Sequence, residues 1–594
     1  MPRVLDDVVG ALEHDGASTH EGAAAFDLSQ TDPLTHLTFT KGSALLEETF
    51  YRTQVEEIRD YASALLGAER HERGFGWKFA AYMRDPVKGK GNRIQGSVAP
   101  AILAAADPEG PFTEEYTFRC LRHRADDVAL FVTHFENLGL GEVPVAARKG
   151  MARALAEMDE YQVLKYSRRQ FPLLRRRKNG QRASLRLVDA MGVAKAHLDE
   201  RTLKLYRYLH APTRERAGLT QGLALLEARR AYFGGDASVE NFVKGRLSTE
   251  QALSFMGSTA ETWRRVLDVP GLLPDMAFKG YVRAMALAGI PVETLVSMAR
   301  ERRFAGLWPH QIYMGWRAAM EGKSRADFAG DKVVFHAEPA PTLAPVFEAI
   351  LERVCEGLLP PGPSLGLADI SGSMFSAPLG GTKSSAQVGD VAVTLAAVMA
   401  RTLGYAATFA DDSYLEDLRR GQGVFHLAKK LCNGKGWGST QVANSVVNLI
   451  FRLLDEPSRP RPRTLYFFSD MQFHPPHLQS LMPARLEVIR ERGISFDSSV
   501  PPLLAAIQLW HELLGPVDVV LWNLAAYENA PLPSSLPHVL LLAGFDANSF
   551  RHVSEWQARG SPAVSEKSGP AVTPSDAKGT AGKNSVELDF IRAF

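Results

Sequence analysis

Three short stretches of this chain carry small oxygen-bearing residues at turns beside apolar runs, and together they could hold a hard divalent cation. In SLGLADISGSM (364–374), Asp369, Ser371 and Ser373 fall at Asp-x-Ser-x-Ser spacing where a strand should end. In GWGST (436–440), Thr440 follows a glycine-rich loop, and in TLYFFSDMQF (464–473), Asp470 closes a second strand. Mg²⁺ takes oxygen ligands in a near-octahedral array and keeps several waters. Two carboxylates and three hydroxyls meet that demand and leave room for a carboxylate from a partner. The chemistry expected is adhesion rather than hydrolysis. Asp-x-Ser-x-Ser alone also reads as a turn bonded to its own backbone. The two companions, in order and at the right elements, argue for the metal.

A second constellation is basic. Lys165, Arg168, Arg169, Arg175, Arg176, Arg177, Lys178, Arg182 and Arg186 lie in one stretch with no Asp or Glu, interleaved with Tyr166 and Phe171. A smaller cluster, Lys88, Lys90 and Arg93, sits in the glycine-containing loop RDPVKGKGNR (84–93). Lys and Arg release counterions from phosphates, and aromatic rings offer stacking surfaces to bases. The alternative is a solvated charged loop. The 84–93 loop is not a Walker A sequence, since no Gly-Lys-Ser/Thr follows at the required spacing.

Enzyme signatures are absent from the sequence. No HExxH or G-x-G-x-x-G occurs, the one G-x-S-x-G (GPSLG, 362–366) falls at the start of a strand-like run rather than at a strand-to-helix turn, and Cys432, His426, His474 and His477 have no triad-like companions. His474-Pro-Pro-His477 reads as a cap for a following helix. A hydrolase that uses Asp369 and Asp470 on Mg²⁺ is disfavoured, because Ser371 stands where a phosphatase-type Asp-x-Asp has its second carboxylate.

The elements that must position these groups follow from length and periodicity. At 594 residues, 45% apolar and 23% charged, the chain needs two or more globular domains. The net charge of +1 hides a basic segment: residues 151–250 hold 20 Lys and Arg against 11 Asp and Glu. Three isolated cysteines without metal-ligand spacing fit a reducing compartment, and no apolar run approaches the ~18 residues of a membrane span. A cytoplasmic protein is expected.

Residues 1–30 read as an irregular lead-in. Residues 31–358 show apolar positions every three or four residues in short segments separated by Gly and Pro, which predicts an α-solenoid without interrupting strands. Ala183–Ala196 is among the predicted helices. Over 361–557, apolar strands alternate with amphipathic helices, which predicts a doubly wound α/β sheet with ligands at its carboxyl ends. Residues 558–584 read as a flexible linker, and 585–594 as a tail that docks on the body.

These motifs resemble the Ro/TROVE family of RNA-binding proteins, a ring of HEAT-like helices closed by a von Willebrand factor A-type (vWA) domain. The likeness rests on RDPVKGKGNR, on KYSRRQ and QRASLRLVDAM within 165–191, on ETWRRVLDVP (261–270) followed by FKGYVRAMA, and on WPHQIYMGWRAA (308–319). In the second domain it rests on ADISGSM, GWGST, FFSDMQF and LLLAGFD (540–546). The chain departs from the pattern at Met471, where many such domains have glycine, and at Arg175–Lys178, which looks inserted.

The resemblance implies a non-catalytic ribonucleoprotein component. It implies small noncoding RNA with a single-stranded end bound by the basic residues, and a divalent cation at the Asp369 site. Recruitment of a protein such as an exonuclease through that cation is a further expectation. A protein-assembly scaffold that binds no RNA stays open as the alternative.

Overall fold

The computed structural model describes residues 17–28, 32–42, 54–176, 182–236, 238–247, 249–269, 272–304, 306–321, 338–356, 358–359, 362–376, 379, 386–419, 423–433, 438–476, 483–496, 501–525, 527, 529–532, 536, 538–544, 548–558 and 586–594. The chain divides into two compact units, Met1–Ala64 with Ala299–Phe590, and Leu65–Met298 with Ile591–Phe594. Among the described residues no helix is long and apolar enough to cross a membrane.

The first unit is built on a six-stranded sheet of β1 (Ser364–Asp369), β2 (Tyr405–Phe409), β3 (Ser413–Asp417), β4 (Thr464–Ser469), β5 (Asp518–Asn523) and β6 (Val539–Ala543). The spatial order is β6-β5-β4-β1-β2-β3, with every pairing parallel except β2 to β3. Both faces are covered, so the strands read as continuous apolar runs rather than alternating ones. Leu365, Leu367, Leu465, Phe467, Val519 and Leu521 face one core with Val446, Ile450, Leu503 and Trp510. Helix Val388–Leu403 covers the opposite face against β1 and β2. Gly366 permits that approach, because a β-carbon there would lie 2.5 Å from the Ala396 Cα. This is the doubly wound α/β class predicted for 361–557. Its edge strand β3 and helix Val424–Cys432 were not predicted, β3 because SYLED is half polar.

Two boundaries drawn from sequence grammar shift in the structure. Helices Pro309–Glu321 and Ala344–Cys355 have the helical period of the preceding region, yet they belong to the unit of the sheet. Arg317, on the first of them, pairs at 3.0 Å with the buried Asp390 of helix Val388–Leu403. Grammar identifies an element's type but not the face that covers it. The described part of the lead-in is likewise tied down: Phe26–Asp27 pairs antiparallel with Asn529–Ala530. Of the linker expected at 558–584, Ala558 instead ends helix Asn548–Ala558, and the remaining residues lie outside the described ones.

The second unit is an array of helices packed on sequence neighbours, including Phe75–Arg84, Gln95–Ala106, Thr113–Leu121, Ala125–Leu138 and Val145–Glu157. The last residues join it: Arg592 pairs with Glu72 at 2.8 Å, and the Phe594 ring meets Tyr82 edge-on at 5.4 Å. One prediction fails here. Gln170–Arg176 and Arg182–Arg186 form an antiparallel hairpin, and only then does a helix, Leu187–Val193, begin. The reason is a period of two: Phe171, Leu173 and Leu185 are buried while Pro172, Leu174 and Arg186 are exposed.

Candidate cation site and polyanion face

Strand order in the sheet reverses between β1 and β4, and an open α/β sheet binds ligands outside its carboxyl ends at such a switch point. Asp369 ends β1 and Asp470 directly follows β4, so these two carboxylates stand at that crevice. Asp369 Oδ1 accepts from the Ser371 N–H at 2.9 Å, and Asp369 Oδ2 accepts from the Ser469 hydroxyl at 2.6 Å. The Ser371 and Ser373 hydroxyls lie 3.2 Å apart, and Ser373 also bonds the Asp470 carboxylate.

Thr440 reaches the same crest from the start of helix Val442–Asp455. Its loop is fixed by Asp411, whose Oδ1 accepts from both the N–H and the hydroxyl of Ser439 at 2.7 Å. Gly438 is needed there because a β-carbon would lie 1.9 Å from the Asp411 carboxylate. Gly436 and Trp437 of the motif lie outside the described residues. His474 does not cap a helix. Its Nδ1 accepts from the Thr440 N–H at 2.9 Å, and its own N–H donates to the Thr440 carbonyl at 3.0 Å. His477 lies outside the described residues.

Met471 adopts φ +63°, the left-handed backbone region that favours glycine. The turn therefore keeps the shape glycine would give it, at a cost of about 1–2 kcal/mol for a side-chain-bearing residue. Burial of Met471 in the core offsets that cost.

A residue missed in the sequence joins this crest. Glu21 Oε2 lies 2.8 Å from His474 Nε2, and its charge acts on Asp470. The segment carrying it is held by the Thr19 hydroxyl on the Phe473 carbonyl and by the His20 N–H on Gln472 Oε1 at 2.8 Å. Nothing in the spacing of an acidic lead-in points to a site more than 400 residues away.

The residues present fit a divalent cation. Asp369 and Asp470 are 0% and 3% exposed, and among the described residues neither is ion-paired with Lys or Arg. Burial pushes Asp369 up to about 6. Burial, and then the charge of Asp369, push Asp470 up to about 7. Two carboxylates that resist ionisation together provide a strong demand for a cation. Such a group contributes stability fully below the unfolded carboxylate value of about 4 and loses it as pH rises through the folded value. In chelator, the thermal midpoint should therefore fall as pH rises from 5 toward 8, and millimolar Mg²⁺ should restore it. Asp369→Asn should flatten that profile. A wild-type profile indifferent to both pH and Mg²⁺ would remove the site.

The basic residues divide into two groups. Asp126 and Asp127, buried in the first turn of helix Ala125–Leu138, collect Arg84 at 2.9 Å, Arg93 at 2.8 and 3.0 Å, Arg124 at 3.0 Å and Arg169 at 2.7 Å. Arg93 and Arg169, expected on a phosphate face, are thus engaged by carboxylates. Lys90 is buried over the Tyr82 ring at 5.8 Å, whereas Lys88 is exposed. Arg186 pairs with Asp189 at 3.2 Å and also lines the cavity that holds the second group. Arg177 and Lys178, and the side chains of Arg175, Arg176 and Arg182, lie outside the described residues.

Lys165 and Arg168 belong to the second group, at a cavity of about 700 Å³ in the helical unit. Lys165 sits 5.5 Å from the Tyr161 and Tyr166 rings. Three arginines missed in the sequence, Arg216, Arg229 and Arg230, line the same cavity with Tyr208 and Phe233, and no Asp or Glu lines it. Backbone carbonyls hold these guanidiniums. Arg229 donates to Gly245 O at 2.7 Å and Arg246 O at 3.0 Å, Arg216 to Ala211 O at 3.0 Å, and Arg230 to Ala217 O at 2.9 Å. Burial lowers the pKa of Arg229, and the charges of Arg168 and Arg246 act in the same direction. An adjoining cavity shares Arg230 but carries Glu227 and Asp236, so the acid-free environment belongs to the first.

No protein-family model and no curated protein matches this chain. Among solved structures it is similar to the crystal structure of the Deinococcus radiodurans Ro (RSR) protein. The identity is 16% and the TM-score 0.47, with 89% of this chain and 100% of that chain covered.

Proposed function

We propose that the protein is a non-catalytic RNA-binding component whose helical unit holds RNA through charge and stacking. Its α/β unit would engage a carboxylate-bearing protein through a divalent cation at Asp369, Ser371, Ser373, Thr440 and Asp470. The observation that carries the RNA half is the acid-free cavity where Lys165, Arg168, Arg216, Arg229 and Arg230 converge beside aromatic rings. Guanidiniums fixed by carbonyls, without carboxylates, retain both charge and donors for phosphate oxygens. The motifs resembling the Ro/TROVE family support the same conclusion, and so does the aromatic interleaving along Tyr161–Phe171. The cation, when bound, would supply a Lewis-acidic anchor with an open position. Asp369 and Asp470 would hold it, and the serine and threonine hydroxyls would complete the oxygen set.

A mixed pool of short structured and single-stranded RNAs should be retained by the pure protein at low salt. Absence of any retention would favour the scaffold without RNA. The exonuclease or other partner at the α/β unit belongs to the cation half. It should bind the wild type in Mg²⁺ and not in chelator.

A further inference from the structure

We propose that the arginine cavity of the helical unit receives a phosphorylated RNA terminus, seating one end nucleotide with its phosphomonoester among Arg168, Arg229 and Arg230. The proposal rests on the RNA-binding reading above and adds which part of the RNA the cavity selects.

The cavity's volume of about 700 Å³ falls in the range of about 300–1,000 Å³ typical of small-ligand sites. It suits a single nucleotide at the end of a strand rather than a duplex. A terminal phosphomonoester carries about −1.5 to −2 charge near neutrality, whereas each internal phosphodiester carries one. The lining matches the larger charge: Lys165, Arg168, Arg216, Arg229 and Arg230 contribute cations, no carboxylate lines the cavity, and of its arginines Arg186 is offset by Asp189 at 3.2 Å.

The guanidiniums are pre-organised. Arg229 spends Nε and one Nη on two carbonyls, and Arg216 uses Nε and one Nη on Ala211 O and Leu209 O. Each guanidinium has five N–H donors, so donors remain for a bidentate grip on phosphate. Burial lowers the pKa of Arg229, and Arg168 and Arg246 place like charge beside it, so the buried guanidinium meets repulsion at this wall. A multiply charged anion relieves that repulsion more than a singly charged one.

The rest of the wall suits a nucleoside. Phe233 is 47% exposed at the cavity, a large apolar ring in contact with water, and Tyr208 lies on the wall with it. Stacking on such rings is sequence-tolerant. Ser167, Thr220 and Gln251 line the same space and offer polar groups to sugar or base edges.

The test is competition against an internally labelled single-stranded RNA, read by fluorescence anisotropy. Three unlabelled oligonucleotides of one sequence compete: one with a 5′-phosphate, one with a 3′-phosphate, and one with hydroxyls at both ends. One phosphorylated form should compete about tenfold better than the hydroxyl form, the scale of an added charge-assisted bidentate contact. The better arm identifies the end that is read. Arg229→Lys keeps the charge and loses the fork, so the phosphate-to-hydroxyl ratio should fall toward one. Equal competition by all three would overturn the terminal-phosphate pocket and leave RNA binding intact. Failure of the labelled RNA itself to bind would overturn the RNA reading instead.

Discussion

Asp127→Ala should destabilise the helical unit by about 3–5 kcal/mol, the scale for stranding one partner of a buried ion pair. Arg84 and Asp127 are 3% and 0% exposed at their side chains, so the guanidinium left behind has no access to bulk water. Arg93 would lose its 3.0 Å contact to Asp127 and keep only Asp126. Asp126 cannot take the place of Asp127, because it already serves Arg93, Arg124 and Arg169. Both carboxylates also lie in the first turn of helix Ala125–Leu138, where negative charge complements the helix dipole. Urea unfolding followed by circular dichroism measures the loss. A change within about 0.5 kcal/mol, the scale of an ordinary surface substitution, would mean that the network is solvated and that Arg93 and Arg169 remain available to phosphate.

The second large effect concerns charge at the cavity. Arg168→Glu combined with Arg230→Glu should weaken RNA binding by about a hundredfold at moderate salt, since each reversal removes one phosphate partner and adds a repulsive charge. Both residues are exposed, and among the described residues neither is ion-paired, so the fold should tolerate the change. Arg93→Ala provides the contrast. Its side chain serves Asp126 and Asp127, so its loss should lower stability more than RNA affinity. Gel-shift titrations on all three proteins separate the roles. If Arg93→Ala lost RNA and the double reversal kept it, the face would lie along the 84–93 loop instead.

The α/β unit was largely legible because its strands are covered on both sides and appear as uninterrupted apolar runs. Strand Thr464–Ser469 ends directly before Asp470, the residue expected to close it. The carboxylates Asp369 and Asp470 could be placed at the crest for the same reason: their positions relative to strand ends are local facts. Glu21 could not be found that way, because its link to His474 is made by packing across most of the chain.

The basic hairpin was misread as helix and loop although two signals were present. Asn179-Gly180 is a turn-forming pair in the sequence, and Phe171, Leu173 and Leu185 keep a period of two. Charge dominated that stretch and obscured its apolar pattern. The larger omission was Arg216, Arg229 and Arg230. They lie on a 3₁₀ turn and a helix well past the arginine-rich run, and only the fold brings them to Lys165 and Arg168. The excess of Lys and Arg over residues 151–250 was the coarse trace of that convergence. Conversely, Arg93 and Arg169 looked available because their carboxylate partners Asp126 and Asp127 are distant in sequence.

The most direct test of the polyanion face is the salt dependence of binding to a short single-stranded RNA. If phosphates meet the five cations Lys165, Arg168, Arg216, Arg229 and Arg230 at this cavity, log affinity should fall against log salt with a slope of about −3 to −4. That is roughly a hundredfold between about 50 mM and about 200 mM salt. A slope near zero, or no measurable binding at the lowest salt, would contradict the account.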